Sequence, residues 1–245
     1  MKRIHYLDSL RGLTIISMIF YHLFYDLVYI FNVDIDFYKI EKVWIWQLSI
    51  AISFFLISGF SSYLTKKDKL LKRGIILSLI GFLFTLATYI FVRDELIIFG
   101  VLNGLGISMI FCGLFKDQLD RIDYKFSIFI FLILFIVFYN ISFGYINLFF
   151  RKISLPDFLY EMNLFFIGFK GKDFYSSDYF PFLPWSFIYL TGFYLGKWLK
   201  EKDFYNICGK ENIISKIGRQ SLKIYILHQI VIFGALSLIF KILDK

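Results

Sequence analysis

The chain is poor in the residues that would point to a small stapled or metal-built domain. Its 245 residues include two cysteines, three histidines and three prolines. Cys112 lies inside an apolar run and Cys208 in a polar stretch, and neither has the spacing of a disulfide framework or a zinc site. A small-x-small cleavage site is missing after the first apolar run, which is also longer than a signal-peptide core. That run therefore reads as an uncleaved first helix. Internal repeats, low-complexity tracts and a soluble domain are not visible. Charge is scarce at 19%, against 58% hydrophobic residues and a mean hydropathy of +0.68. This excludes an ordinary soluble domain and predicts an all-α polytopic membrane helix bundle, one integral membrane domain over residues 1–245. The net charge of +8 does not call for nucleic acid, because basic cytosolic loops account for most of it.

The apolar runs predict seven spans, near 9–31, 43–64, 71–92, 96–115, 125–146, 181–199 and 220–241. A further piece, 155–169, is too short to cross and predicts a half-helix or interfacial segment. Alternate loops are basic. Lys2 and Arg3 lead the chain, and Lys66, Lys67, Lys69, Lys72 and Arg73 cluster in 65–73. Lys116 and Arg121 fall in 116–124, and Lys197 to Arg219 carry six more. The positive-inside rule then places the N-terminus in the cytoplasm and the protein, multi-pass, in the cell membrane. With 33 Phe and 17 Tyr, an aromatic stripe here is more often lipid-facing filler than a binding box.

The first span carries His22 and Asp26. An Asp near the centre of a span costs at least ~2.5 kcal/mol on insertion scales. Four residues apart, the two side chains share a helical face and can meet. A carboxylate that orients an imidazole makes a general base. The alternative is a His–Asp pair that only packs against another helix.

The order Arg3…Leu7-Asp8-x-Leu10-Arg11-Gly12…Met18-x-x-x-His22-x-x-x-Asp26 resembles the first helix of transmembrane acyltransferases. It is most similar to bacterial proteins related to heparan-alpha-glucosaminide N-acetyltransferase. Four later stretches are similar too. Phe54-Phe55-Leu-Ile-Ser58-Gly59 matches a Phe-x-x-x-Ser-Gly stretch, where small residues admit a neighbouring helix or a ligand. Gly100-Val-Leu-Asn103 ends in an amide that could bond a substrate or a neighbouring helix. Asp178-Tyr179-Phe180-Pro181-Phe182-Leu183-Pro184-Trp185 resembles a run in which Pro184 opens a helix. There Asp178 is either a substrate contact or a loop carboxylate or helix cap. The last block is Gly218-Arg219-Gln220-Ser221-Leu-Lys223-Ile-Tyr225-Ile-Leu-His228-Gln229. His228 and Gln229 would be expensive facing lipid, so they should face protein. In the lysosomal enzyme of this family the catalytic His lies in a lumenal loop, and residues 32–42 here hold none. The choice of His22 follows the broader membrane O-acyltransferases.

The resemblance implies acetyl-CoA or another acyl-CoA as donor, with no metal. It implies a hydroxyl or amine of a cell-envelope glycan as acceptor. His22 and Asp26 are then the catalytic pair, and Asn103, Asp178 and Trp185 the acceptor contacts. Arg11, Ser58, Arg73, Arg219 and His228 are candidates for the donor, since guanidinium forks match phosphate oxygens. The arginines could equally be charge on the cytosolic rim. Counting helical rise puts these five in the cytoplasmic half, on a different level from His22. A small proton-coupled transporter or flippase would show the same polar levels.

Overall fold

A computed structural model describes residues 3–39, 41–148, 151–202 and 208–243. Lys2 and part of the basic 197–219 loop lie outside the described residues. The chain is helical almost throughout, as its composition predicts. The helices are α1 (His5–Tyr25), continued by a π-helical turn over Asp26–Ile30, then α2 (Val43–Tyr63), α3 (Lys67–Phe91) and α4 (Val101–Leu114). There follow α5 (Lys116–Arg121), α6 (Tyr124–Phe138), α7 (Phe158–Glu161), α8 (Phe182–Glu201), α9 (Ile213–Arg219) and α10 (Ser221–Leu243). Among the described residues five segments are long and apolar enough to cross a bilayer: His5–Ile30, Val43–Tyr63, Lys67–Phe91, Tyr124–Phe143 and Ser221–Leu243. The seven expected spans thus include two that fall short of this measure. The apolar run at 96–115 yields only the 14-residue α4, and α8 is not among the five.

The half-helix expected at 155–169 is a single helical turn, α7, followed by turns. Pro156 denies the segment a backbone donor and Asn163 has φ +47°, so the piece cannot continue as a helix. Just before it, β1 (Tyr145–Leu148) and β2 (Arg151–Ser154) pair antiparallel, with Tyr145 opposite Ser154.

The chain divides into two compact units, residues 1–54 with 204–245, and residues 55–203. In the first, α9 crosses α1 at backbone contact. A Cβ on Gly12 would stand 2.1 Å from the Ile214 carbonyl oxygen, and one on Gly218 would stand 1.8 Å from that of Asp8. Only glycine permits this approach. α9 begins at a capping box, with Ser215 N–H donating to Asn212 Oδ1 at 2.7 Å and Ser215 Oγ receiving the Asn212 N–H at 3.0 Å. Ile15, Met18 and Ile50 form the apolar core beside it, with Ile217, Ile224 and Tyr225 packed on. The N-terminal part of α2 is tied in where Trp46 Nε1 donates to Ser17 Oγ at 2.8 Å.

In the second unit, small residues again set the contacts. Gly59 of α2 faces the Tyr189 carbonyl, and Gly192 of α8 faces that of Leu56. Gly74 of α3 faces the carbonyl of Gly106 on α4. At one end of this unit Lys116 caps α2, donating to the carbonyls of Ser62 (3.0 Å), Tyr63 (3.1 Å) and Thr65. Burial of the ammonium lowers its pKa from the usual lysine range. At the same end Lys197 donates to the Asp120 and Ile122 carbonyls. At the other end residues 175–180 pair with 94–101, through Ser177 N–H to the Leu96 carbonyl and Phe180 N–H to that of Phe99, both 2.9 Å.

Candidate functional site

His22 and Asp26 lie at the end of α1, where the helix changes from α to π. Asp26 opens the wider turn, and Phe31 N–H returns to its carbonyl at 2.9 Å. Such turns displace one side chain from the α-helical register and are frequent at functional positions. The Asp26 side chain is fully buried. Both of its oxygens accept from Gln229 Nε2, at 2.9 and 3.0 Å. A carboxylate has only acceptors to offer, so the contact fixes which end of the Gln229 amide faces it. The other end, Oε1, is buried without a hydrogen-bond partner.

One residue before Gln229, the His228 ring meets that of His22, with centroids 4.8 Å apart and planes at 62°. Its Nδ1 lies 2.6 Å from the Tyr225 carbonyl, one turn back on α10. The level count from sequence had separated these two histidines, and the structure brings them together. Gly218 abuts the Asp8–Gly12 turn of α1. Ten residues run from Gly12 to His22 and ten from Gly218 to His228, ~15 Å of helical rise in each case. The count had started each helix at the edge of its apolar run and missed this register. Beyond the histidines α10 runs parallel to α1, with Phe31 against Phe233 and Phe240.

Two of the three arginines assigned to phosphates, Arg11 and Arg219, have internal partners. Asp8, 3% exposed, accepts from Arg3 Nε at 2.6 Å and from Arg11 Nη1 at 3.0 Å. Arg219 Nη1 pairs with Glu211 Oε1 at 2.5 Å. Arg73 is exposed on α3. Arg11, Arg219 and His228 belong to the first unit, with His22 and Asp26, while Ser58 and Arg73 belong to the second. Ser58 and Ser62 present their hydroxyls to the buried Tyr189 phenol.

The acceptor candidates all belong to the second unit. Asn103 Nδ2 donates to the Ser78 carbonyl on α3 at 3.2 Å, and its Oδ1 is buried without a partner. Gly81 makes room for that amide, since a Cβ there would stand 2.3 Å from Oδ1. Trp185 packs among Phe55, Phe135 and Phe180. Asp178 is a helix cap, its Oδ2 accepting the Val101 N–H at the start of α4 at 3.2 Å.

Burial raises the Asp178 pKa to about 6 from 3.8, against the lowering effect of that N–H. A raised carboxyl pKa means the folded state holds the proton more tightly. Its stabilising effect is full below pH ~4 and is lost as pH rises through ~6, on the order of 3 kcal/mol in all. Asp178→Asn keeps an acceptor for Val101 without a charge. Its thermal midpoint in detergent should exceed that of the wild type at pH 7.5, and the gap should close toward pH 4. A gap of constant size would show that the carboxyl is not the titrating group.

Two roles were not legible in advance. Gln229 was expected only to face protein, and nothing within its own helix marks Asp26 as its partner. Asp8 shows a signal in retrospect, since arginines five residues before and three after it can both reach its carboxylate.

Fold and site together define a helical membrane protein with a cluster of two imidazoles, a carboxylate and an amide, of which Asp26 and His228 are buried. The chain belongs to the family described as heparan-alpha-glucosaminide N-acetyltransferase, catalytic, which it matches over residues 3–230. That makes it a membrane acyltransferase by family. No curated protein and no solved structure matches it significantly.

Proposed function

We propose that the protein transfers an acetyl or similar acyl group from cytosolic acyl-CoA to a sugar hydroxyl or amine of a cell-envelope glycan. The observation that carries this reading is the His22–His228–Asp26–Gln229 cluster inside a chain of this family. His22 is the imidazole on which transfer depends, taking the acceptor's proton or carrying the acyl group in passing. Asp26, four residues further on, is its partner in the proposed catalytic pair. Asn103, Asp178 and Trp185 are proposed for the acceptor, and Asn103 Oδ1 has a free lone pair for a hydroxyl or amine donor. Arg11, Ser58, Arg73 and Arg219 are proposed for the donor. Guanidinium forks match phosphate oxygens, which supports this choice of arginines. The whole chain acts as one catalytic domain.

The test is to incubate membranes containing the protein with radiolabelled acetyl-CoA and follow the label into protein and glycan. Absence of any label beyond that in membranes lacking the protein would sink the proposal.

The protein sits in the cell membrane with its N-terminus in the cytoplasm. The clustering of Lys116, Lys197 and the 65–67 carbonyls and charges at one end of the second unit supports this, since that end is then cytosolic. Residues 175–180 occupy the other end. A Cys placed at Ser176 should react with an impermeant thiol reagent added to intact cells, and one placed at Lys67 should not. The opposite pattern would invert the topology.

A further inference from the structure

We propose that His228 is a second catalytic residue, whose Nε2 receives the proton of the acyl acceptor, with Gln229 as the residue that positions it. The inference rests on the acyltransferase reading and assigns His228 to the acceptor instead of the donor.

The argument is one of lone pairs. The Tyr225 carbonyl, 2.6 Å from His228 Nδ1, can only accept, so Nδ1 carries the hydrogen. In the neutral ring the lone pair is then on Nε2. That atom is buried and has no hydrogen-bond partner. The neighbouring Gln229 gives its amide N–H groups to Asp26 and leaves Oε1 buried and unpartnered as well. Two adjacent residues of α10 thus each hold one unfilled acceptor. An unfilled buried acceptor is unfavourable, and a molecule that supplies O–H or N–H groups removes that penalty. A hydroxyl or amine has such groups. The reacting thioester carbonyl offers only acceptors and cannot fill them.

The orphaned nitrogen is also the one that can do chemistry. As the acceptor's oxygen or nitrogen attacks the acyl carbon, its bond to hydrogen breaks and the proton moves to Nε2. The bond from the acyl carbon to its leaving atom breaks with the electron pair. That atom is the CoA sulfur in direct transfer, or a His22 ring nitrogen if His22 carries the acyl group. The proton returns from Nε2 to the leaving atom, so the ring ends as it began. His22, in ring contact with His228, is near enough for either route. Gln229 works through Asp26. Its two bonds hold the start of the π turn of α1 against α10 and keep the rings in register.

The decisive variant is His228→Asn. The Asn amide can still donate to the Tyr225 carbonyl as Nδ1 does, but it has no counterpart of Nε2. The full-length protein in membranes is given radiolabelled acetyl-CoA and glucosamine, a probe with both hydroxyl and amine groups. The expected result is a hundred- to ten-thousandfold fall in kcat with KM for acetyl-CoA within a factor of about two of the wild type. Imidazole added to His228→Ala should restore part of the rate, which a purely structural role would not allow. A variant that keeps its kcat, or that loses only its affinity for acetyl-CoA, overturns the assignment. A lost rate in both variants with no rescue by imidazole also overturns it. No transfer by the wild type overturns instead the acyltransferase reading on which this rests.

Discussion

His22→Ala membranes should lose acyl transfer by two to four orders of magnitude while the protein stays inserted and folded. That range is what loss of a positioned general acid–base typically costs. His22 is the α1 imidazole that contacts the His228 ring, so its loss removes one of the two groups able to move a proton or carry an acyl group there. The fold should survive, because α1 is held elsewhere. Its backbone lies against α9 at Gly12 and Gly218, and Ile15 and Met18 anchor the apolar core. Asp26→Asn should be partly active. It keeps one oxygen to accept from Gln229 and replaces the other with an amino group, which turns one of the two contacts into a clash of donors. The check is the label transferred per protein, with equal amounts of monodisperse protein recovered from each membrane. Undiminished transfer in His22→Ala would reject this residue and leave His228 as the sole imidazole of the cluster.

Much of this arrangement was legible in the chain, and what was not has a common cause. Apolar runs of more than 20 residues predict helices because a bilayer leaves the backbone no other partner. α1, α2, α3, α6 and α10 follow from that alone. Pro181 and Pro184 likewise foretell the start of α8, which adopts helical geometry after an extended Leu183. His22 and Asp26 stand out because ionisable groups in a span are costly. Their partners do not. Gln229 lies 203 positions from Asp26, and its pairing depends on the register between α1 and α10. That register is set by two glycines whose spacing carries no message until the helices are placed side by side. Arg11 carries the expectation of a phosphate contact, and the structure adds its local ion pair with Asp8. For Asp178 a helix cap is among the readings of the sequence, but nothing in the proline-rich run says that the helix it caps lies 77 residues earlier. The hairpin of β1 and β2 was hidden because four-residue strands beside an apolar run have no period of their own.

Since one contact sets that register, a single methyl group should disrupt it. Gly218→Ala puts a Cβ 1.8 Å from the Asp8 carbonyl oxygen and 2.8 Å from the Gly12 nitrogen. Both obstacles are backbone atoms of α1, so no rotamer change can relieve them. α9 must move away from α1, and α10 follows it after one residue, Gln220. Overpacking of this kind costs ~1–3 kcal/mol, and more where backbone is on both sides. In a chain of this size each kcal/mol lowers the thermal midpoint by about 2–4 °C. Activity should fall further than stability alone explains, because His228 and Gln229 ride on the displaced helix. Gly234→Ala is the matched control. It lies on the same helix as His228, with nothing within 4 Å of the added Cβ, and should leave the midpoint unchanged or slightly higher, since alanine is the better helix former. The pair can be read in detergent by fluorescence-detected gel filtration after heating, alongside the label-transfer assay. Equal midpoints and equal transfer in the two variants would mean that the contact of α9 with α1 does not set the register of the histidines.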